Sequence, residues 1–251
     1  MKKKIALITG GYSGEAVISY KSANNIEKNL DTDKWETYKI DINPEGWNYL
    51  APGGEKTPVD KNDFSITIGG QKINFDAVLV GLHGTPGEDG KLQGYFDTLG
   101  IPYTSCDTAT SALTFNKRYT VAVAAFAGIH VAKSVHLFKH IPVTVESILA
   151  TLQLPVFVKP NNGGSSIGMS KVKEPEALQA ALDKAFAEDD QVLVEEFIKG
   201  RELTIGVFKS NGQVIALPIT EIIAKNEFFD YEAKYEGARD EITPAQSDES
   251  I

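Results

Sequence analysis

Short apolar runs alternate with amphipathic segments along the first part of the chain. Ile5–Thr9 is a β-rich apolar run that breaks at Gly10–Gly14, and apolar positions then recur at helical spacing from Ile18 to Leu30. Asp76–Leu82 is a continuous apolar run, as expected of a buried parallel strand, and Leu92–Leu99 follows it at helical spacing. This alternation of strands and helices predicts an open α/β sheet.

The rest of the chain continues the alternation. Asp107–Ala127 is predicted to be helical with a polar interruption at Asn116–Arg118, and Pro175–Ala187 carries its alanines and leucines on one face, as an amphipathic helix does. The polar region from Glu221 onward is expected to be irregular. Another helix is predicted at Val143–Leu152, and the other predicted strands are Glu36–Ile42, Phe64–Ile68, Lys72–Phe75, Val131–His136, Leu154–Lys159, Gln191–Glu195, Leu203–Phe208 and Val214–Ile219.

Composition and charge exclude several classes of protein. The 251 residues carry 34 acidic and 25 basic side chains, which give a formal net charge of -9. Such a chain lacks the basic surface that non-specific nucleic-acid binding or attachment to an anionic membrane needs. The single cysteine, Cys106, excludes an internal disulfide framework, and no apolar run approaches the roughly 20 residues of a membrane helix. We therefore expect a globular protein of a reducing cytoplasm, with no nucleic-acid or membrane partner.

A glycine-rich turn, Gly10–Gly14, separates the first strand from the first helix. Glycines let backbone N–H groups approach a ligand, and Asp41 at the end of the second strand has the place of a ribose-binding acid. The spacing is not G-x-G-x-x-G, and Glu15 puts a negative charge where a pyrophosphate would lie. A nicotinamide-dependent oxidoreductase is therefore disfavoured, and a tight turn into a helix explains the glycines equally well. His83 follows a predicted strand, at the end where open α/β sheets bind ligands.

A second glycine-rich loop, Gly163–Gly168, joins glycines to two serines after a predicted strand that ends at Lys159. Such a loop can wrap phosphates with its N–H groups and hydroxyls. Met169 stands where a P-loop needs its lysine, which excludes a Walker A site. If phosphates bind here, Lys159 and Lys117 are the candidate cations. The alternative is a flexible hairpin flanked by solvated lysines.

Two further segments combine charged and apolar side chains. Glu195 and Glu196 end a buried strand, whose backbone could hold an adenine while Glu202 holds its ribose. Taken alone, a charged strand end with surface Glu–Arg pairing explains these acids better. The segment Phe229–Tyr235 is charged and aromatic. Loops of this composition often carry function, and the alternative is a surface loop anchored by its aromatic side chains.

Taken in order, these segments resemble those of a known family. They read GGYSGE, LHGTPGEDGKLQG, IPYTS, FNKR, VKPNNGGSSIGMS, VLVEEFIKGRELT and FFDYEAKY. Over essentially its whole length the chain is similar to the D-alanine–D-alanine ligases of the ATP-grasp superfamily, although Ala16 stands where the family's first motif has His or Arg. The resemblance implies an α/β fold with an open parallel-sheet N-terminal domain over 1–103, followed by an ATP-grasp domain that is incomplete at its C-terminus. Its central subdomain would span 104–194 and the start of its C-terminal subdomain 195–251.

The resemblance also implies roles for individual side chains. Glu15, Ser165 and Tyr235 correspond to the catalytic hydrogen-bonded triad that orients the first D-alanine, and His83 corresponds to the histidine near its carboxylate. Lys234 corresponds to a lysine that faces the transferred phosphate. The expected ATP-binding residues are Lys117 and Lys159 at the phosphates, Ser166 in the glycine loop, Glu195, Glu196, Phe197 and Ile198 around the adenine, and Glu202 on the ribose.

The activity implied by the resemblance joins two D-alanines for peptidoglycan precursors of the cell wall. A carboxylate is a poor acyl donor, so ATP would first convert it to an acyl phosphate, which the amine of the second D-alanine then attacks. Positioning and charge neutralisation would supply most of the catalysis. Tyr235 favours the dipeptide product, because the family's depsipeptide ligases typically lack that tyrosine. A homodimer formed through the first domain is expected as well.

The resemblance implies Mg²⁺ together with ATP. The family's metal ligands lie in a segment that ends in a Glu-x-Asn motif, and none of them precedes Ile251, so no metal-binding residue is assigned. We therefore expect a truncated or proteolysed enzyme with little or no turnover. Two alternatives stay open: another ATP-grasp carboxylate–amine ligase, and a nucleotide-binding module without chemistry.

Overall fold

The chain divides into two units. The structure, a computed structural model, describes residues 2–224 and 239–246. The first unit comprises Met1–His130 and Asn161–Gly164, and the second comprises Val131–Pro160 and Ser165–Ile251. No helix within the described ranges is long and apolar enough to cross a membrane.

The helices and strands have the following bounds. The helices of the described residues are α1 (Ala16–Asn29), α2 (Lys91–Leu99), α3 (Thr108–Phe115), α4 (Lys117–Phe126), α5 (Val145–Leu149) and α6 (Leu178–Phe186), the last preceded by a 3₁₀ turn, Pro175–Ala177. The strands of the first unit are β1 (Lys3–Gly10), β2 (Trp35–Asn43), β3 (Gly46–Leu50), β4 (Lys56–Asp60), β5 (Ser65–Ile68), β6 (Gln71–Ile73), β7 (Ala77–Val80) and β8 (Tyr103–Thr104). Those of the second unit are β9 (Ser134–Phe138), β10 (Val156–Pro160), β11 (Ser170–Val172), β12 (Gln191–Glu196), β13 (Glu202–Thr204), β14 (Val207–Ser210), β15 (Gln213–Ala216), β16 (Thr220–Ala224) and β17 (Arg239–Ile242).

The first unit is built on an eight-stranded sheet in the order β6-β5-β4-β3-β2-β1-β7-β8. Strands β2, β1, β7 and β8 are parallel, which confirms the predicted open α/β sheet. The sheet then continues antiparallel through β3, β4, β5 and β6. The chain leaves β1 toward β2 on one side and reaches β7 on the other, so a topological switch point lies between β1 and β7.

The core of the first unit is rich in aromatic side chains. Phe64 and Phe96 are fully buried, and their rings lie 4.9 Å apart in a T-shaped arrangement. Tyr95 and Phe75 pack on Phe64 with ring centroids 6.0 and 5.6 Å away. The central strands contribute the aliphatic part of this core, for example Ile8 and Ile40. A rigid sheet therefore supports the loops at its carboxyl edge.

The second unit contains a four-stranded antiparallel sheet in the order β11-β10-β12-β9. Val156 and Val158 of β10 and Val194 of β12 are fully buried in a core that includes α6. Because side chains alternate along a strand, Phe157 and Lys159 lie on the opposite face of β10. Glu195 pairs in register with Phe157 and shares that face.

The C-terminal part of the described chain corrects two predictions. The strand predicted at Leu203–Phe208 is two strands, β13 and β14, that belong to different sheets. The tail predicted to be irregular from Glu221 onward instead contributes β16 and β17, which pair with each other, and β16 also pairs with β13. The pairing of β16 depends on partners distant in sequence, which a local pattern does not reveal.

Candidate functional site

Two loops meet at the carboxyl edge of the parallel strands. Gly10 ends β1, and the turn after it is tied to the loop that follows β7, because the Tyr12 N–H donates to the Thr85 carbonyl at 2.8 Å. The Gly11 N–H donates to the Ile42 carbonyl at 2.7 Å, which adds the end of β2 to the same edge. This edge is where open α/β sheets bind ligands.

Glu15 is a buried carboxylate at this edge. It immediately precedes α1 and is only 3% exposed. A Cβ added at Gly84 would lie 2.7 Å from Glu15 Oε2, and one added at Gly164 would lie 2.8 Å from Oε1. The carboxylate is therefore flanked on two sides by glycine backbone, at a closeness that only glycine permits.

His83 ties the loop after β7 to helix α1. Its backbone N–H donates to Ser19 Oγ at 2.8 Å, and its Nε2 lies 2.9 Å from Ser22 Oγ. These two serines are one helical turn apart, so a single face of α1 fixes both the backbone and the ring of His83. The structure thus brings His83 and Glu15 to the same end of α1.

Glu88 is a second carboxyl group of this edge that the sequence did not single out. Its Oε2 accepts a hydrogen bond from the Gly84 N–H at 2.6 Å. Burial raises the pKa of Glu88, the Gly84 N–H opposes that rise, and the negative charge of Glu15 adds to it. The only sequence signal was its place in the loop after a predicted parallel strand.

Asp41 has a structural partner for each carboxylate oxygen. Oδ1 accepts from the Tyr20 hydroxyl at 2.9 Å, and Oδ2 accepts from Asn43 Nδ2 at 2.8 Å. A Cβ at Gly10 would lie 2.5 Å from Oδ1, so the adjacent turn is packed onto this carboxylate. Asp41 therefore fixes the ends of β1 and β2, which explains its position without a ribose.

The Tyr20–Asp41 hydrogen bond predicts a loss of stability at alkaline pH. Burial, followed by the hydrogen bond to Asp41, raises the pKa of Tyr20 from 10.0 to about 12. The Tyr20 hydroxyl would lose its proton near pH 10 in the unfolded chain and only near pH 12 in the folded chain. The stabilisation from protonated Tyr20 is therefore complete below pH 10 and is lost as the pH rises from 10 to about 12. We expect Tyr20→Phe to flatten the decline of the denaturant midpoint with pH. Tyr119→Phe, at a half-exposed position on α4, is the control, and an equal decline in Tyr20→Phe and the parent chain would contradict the assignment.

Lys117 lies at the start of α4, in the same unit as Glu15. The predicted polar interruption of the helical region is confirmed, because α3 ends and α4 begins at Asn116. Lys117 Nζ donates to the Gly163 carbonyl at 2.8 Å. The start of the glycine-rich loop is therefore held against the lysine that the sequence proposed as a phosphate ligand.

The second unit carries a charged and aromatic row on the face of its sheet opposite the core that includes α6. Lys159 Nζ forms an ion pair with Glu195 Oε2, and both side chains are mostly buried. Phe157 pairs in register with Glu195 on one side and with Lys171 on the other. Lys171 Nζ lies 4.0 Å from the centroid of the Phe197 ring, a cation–π contact that the sequence did not indicate. This row offers a cation, an acid and ring faces to a ligand.

The remaining predicted nucleotide residues of the second unit differ in environment. Glu196 Oε1 accepts from the Lys133 N–H at 2.7 Å, so this carboxylate fixes β9 to β12. Ile198 is 63% exposed, and Glu202 is exposed at the start of β13. Ser165 and Ser166 have φ values of 53° and 58°, a left-handed conformation that is costly for serine. Such strain is typical of loops that bind ligands.

Two predicted residues and the metal lie outside what the structure describes. Lys234 and Tyr235 fall in 225–238, which is not described. Within 2–224 and 239–246, no group of three or more His, Cys, Asp or Glu side chains could hold a metal ion.

Family models match nearly the whole chain. The model described as "D-ala D-ala ligase N-terminus" matches residues 4–106, and the one described as "D-ala D-ala ligase C-terminus" matches residues 115–251. Together they include every residue considered above as part of the site.

Individual proteins agree with the family models. The chain is 50% identical to a D-alanine--D-alanine ligase of Parabacteroides distasonis, over 98% of this chain and 74% of that protein. Among solved structures, D-alanyl-alanine synthetase A of Vibrio cholerae is 29% identical with a TM-score of 0.83, over 100% of this chain and 76% of that one. The Bacillus anthracis D-alanine--D-alanine ligase complexed with ATP is 27% identical with a TM-score of 0.71, over 98% and 72% of the two chains.

Proposed function

The chain belongs to the D-alanine–D-alanine ligase family, and from this membership we propose that it joins two D-alanines into D-alanyl-D-alanine with ATP, for peptidoglycan precursors. The observation that carries the proposal is the buried Glu15 carboxylate flanked by Gly84 and Gly164. A small amino acid needs a few fixed polar groups in a tight site. Glu15, His83 and the loop at Gly84 form such a corner of the first unit, and Ser19 links the backbones of His83 and Glu15 by hydrogen bonds.

We assign the first D-alanine to this corner. Glu15 orients it, together with Ser165 and Tyr235, and His83 lies near its carboxylate. The burial of Glu15 supports the assignment, because a carboxylate held away from water attracts an ammonium group more strongly than an exposed one does. Glu88, which accepts a hydrogen bond from the Gly84 N–H, adds a second acid to this corner.

We assign ATP to the residues that the family resemblance implies. Lys117 and Lys159 bind its phosphates with Ser166 of the glycine loop, and Lys234 faces the transferred phosphoryl group. The adenine lies along Glu195, Glu196, Phe197 and Ile198, and Glu202 binds the ribose. The Lys159–Glu195 pair and the neighbouring rings support this assignment, because a lysine that already shares its charge with an acid is held in one position before the nucleotide arrives.

The chemistry follows from the weakness of a carboxylate as an acyl donor. Transfer of the γ-phosphoryl group to the carboxylate of the first D-alanine gives an acyl phosphate. The amine of the second D-alanine attacks its carbonyl carbon, the C–N bond forms, and phosphate leaves. The lysines neutralise charge that develops on the phosphoryl oxygens, and the glycine-rich loop restricts water that would hydrolyse the acyl phosphate.

Further parts of the proposal rest on the family alone. We propose Mg²⁺ as the companion of ATP, a homodimer formed through the first domain, and a cytoplasmic location. No step is assigned to the metal. The domain division 1–103, 104–194 and 195–251 is also a proposal, and limited proteolysis that cuts near 103 and 194 would support it.

Release of phosphate from MgATP tests the proposed function. Any release should be stimulated by D-alanine and should stay at the background rate with L-alanine, because the buried corner at Glu15 fixes the orientation of the amino acid. D-serine as the added amino acid tests another amine substrate. A chain that binds ATP in a calorimetric titration but releases no phosphate with D-alanine would instead be a nucleotide-binding module. Release stimulated by a different amino acid would favour another carboxylate–amine ligase.

A further inference from the structure

The first turn of α4 receives its capping from a residue distant in sequence. The first N–H groups of a helix have no partner within the helix and need acceptors from elsewhere. The Lys117 N–H donates to the Asn161 carbonyl at 3.1 Å, and the Arg118 N–H donates to Asn161 Oδ1 at 2.9 Å. Asn116 supplies the local cap, since its Oδ1 accepts from the Tyr119 N–H. Asn161 thus satisfies two consecutive N–H groups with its backbone and its side chain.

The same short segment holds the Lys117 side chain. Lys117 Nζ donates to the Gly163 carbonyl at 2.8 Å and lies 3.5 Å from the Asn161 carbonyl. Both the backbone and the ammonium group of Lys117 are therefore attached to residues 161–163. A displacement of this segment would move the ammonium group, and no intervening element would absorb the change.

The chemistry of asparagine suits this position better than that of the other common caps. Aspartate would cap the helix with a favourable charge, but at this fully buried position it would place a carboxylate away from water. Asn161 is fully buried and supplies the acceptor without that charge. Its Nδ2 has no hydrogen-bond partner among the residues that the structure describes. The side chain of Asn161 therefore contributes its acceptor oxygen, Oδ1, and not its NH₂ group, to the hydrogen bonds at the start of α4.

We propose that Asn161 is a positioning residue that fixes Lys117 for the phosphates of ATP. The inference rests on the phosphate role of Lys117 in the proposed function. Asn161 need not touch the nucleotide: it fixes the start of α4 and the segment 161–163 as one piece, so that the ammonium group is already in place when ATP binds.

A double-mutant cycle on ATP affinity tests the proposal. Titration calorimetry with MgATP measures the parent chain, Asn161→Ala, Lys117→Met and the double variant. We expect Asn161→Ala to weaken ATP binding by about tenfold, and to cause less than about a twofold further loss when Lys117 is already methionine. Losses that multiply in the double variant would overturn the inference, because Asn161 would then act independently of Lys117.

A control variant separates positioning from folding stability. Thr144→Ala removes the side chain that caps α5 in the second unit and should lower the melting temperature while leaving ATP affinity unchanged. A loss of ATP affinity in Thr144→Ala as large as that in Asn161→Ala would overturn the inference and leave the proposed function intact. Failure of the parent chain to bind ATP would overturn both.

Discussion

Replacing Gly84 with alanine should lower kcat/KM for D-alanine by more than about a hundredfold, since displacement of a positioning group by about an ångström has effects of that size. The added Cβ would lie 2.6 Å from Ser13 Oγ and 2.7 Å from Glu15 Oε2, distances that real Cβ atoms essentially never show. Glu15 cannot move away freely, because the Gly164 backbone lies against its other oxygen. The φ of 73° at Gly84 adds backbone strain.

Measurements of D-alanine and ATP dependence separate the expected defect from general damage. We expect the apparent affinity for D-alanine to fall while ATP affinity, measured by calorimetry, stays near that of the parent. Gly94→Ala is the matched control, because a Cβ at Gly94 of α2 would meet only Thr108, at ordinary contact distances of 3.5 and 3.6 Å. Alanine also favours a helix over glycine there, so this variant should be at least as stable as the parent.

A second substitution tests whether misfolding explains the D-alanine defect of Gly84→Ala. Ser13→Ala in the Gly84→Ala background removes one of the two oxygens that the new Cβ would meet and should restore part of the D-alanine dependence. Wild-type D-alanine kinetics in Gly84→Ala would show that Glu15 tolerates displacement, and the assignment of the first D-alanine to this corner would then be wrong.

The elements that could be predicted are those whose signal is local. Strand β1, the glycine turn and α1 follow from a short apolar run and helical spacing, and the break at Asn116 follows from three polar residues. Strands β3 and β4 were not predicted, because Val59 is their only buried residue and they form by pairing with β2 and with each other. The strand predicted at Val131–His136 begins three residues before β9, because pairing with β12 begins only at Ser134.

Less of the functional site than of the fold could be predicted from local sequence. The residue types Glu15, His83 and Lys117 could be found in sequence because they stand beside glycines or at element ends. The surroundings of these residues could not be predicted, because Glu15 is covered by Gly84 and Gly164, which are far apart in the chain. The partnership of Asn161 with Lys117 is likewise long-range. Sequence therefore indicates which side chains carry chemistry, whereas the tertiary structure decides how firmly each is held.

Substitution of Lys159 by methionine should weaken ATP binding by about fiftyfold, which is the size expected when a charge-assisted lysine–phosphate hydrogen bond is lost. Calorimetric titration with MgATP measures the change. Lys139→Met is the matched control in the same unit, because Lys139 forms an exposed ion pair with Asp190 and should affect ATP affinity by less than about twofold.

The same substitution should also destabilise the fold by about 2 kcal/mol, because it leaves the mostly buried Glu195 carboxylate without its cation. Glu195→Gln in the Lys159→Met background removes that unpaired charge and should recover most of the lost stability in denaturant unfolding. It should not recover ATP affinity, since glutamine supplies no positive charge for a phosphate. The two measurements therefore respond differently to one added substitution.

That difference decides what Lys159 does. If the double variant regains both stability and ATP affinity, the lysine serves only to neutralise Glu195, and the phosphates must depend on other cations, with Lys117 the first to test. If stability returns while ATP affinity stays low, the ammonium group itself binds the nucleotide, and the ion pair with Glu195 keeps it in place before ATP arrives. The geometry favours the second result, because the Lys159 side chain is 24% exposed whereas that of Glu195 is 11% exposed.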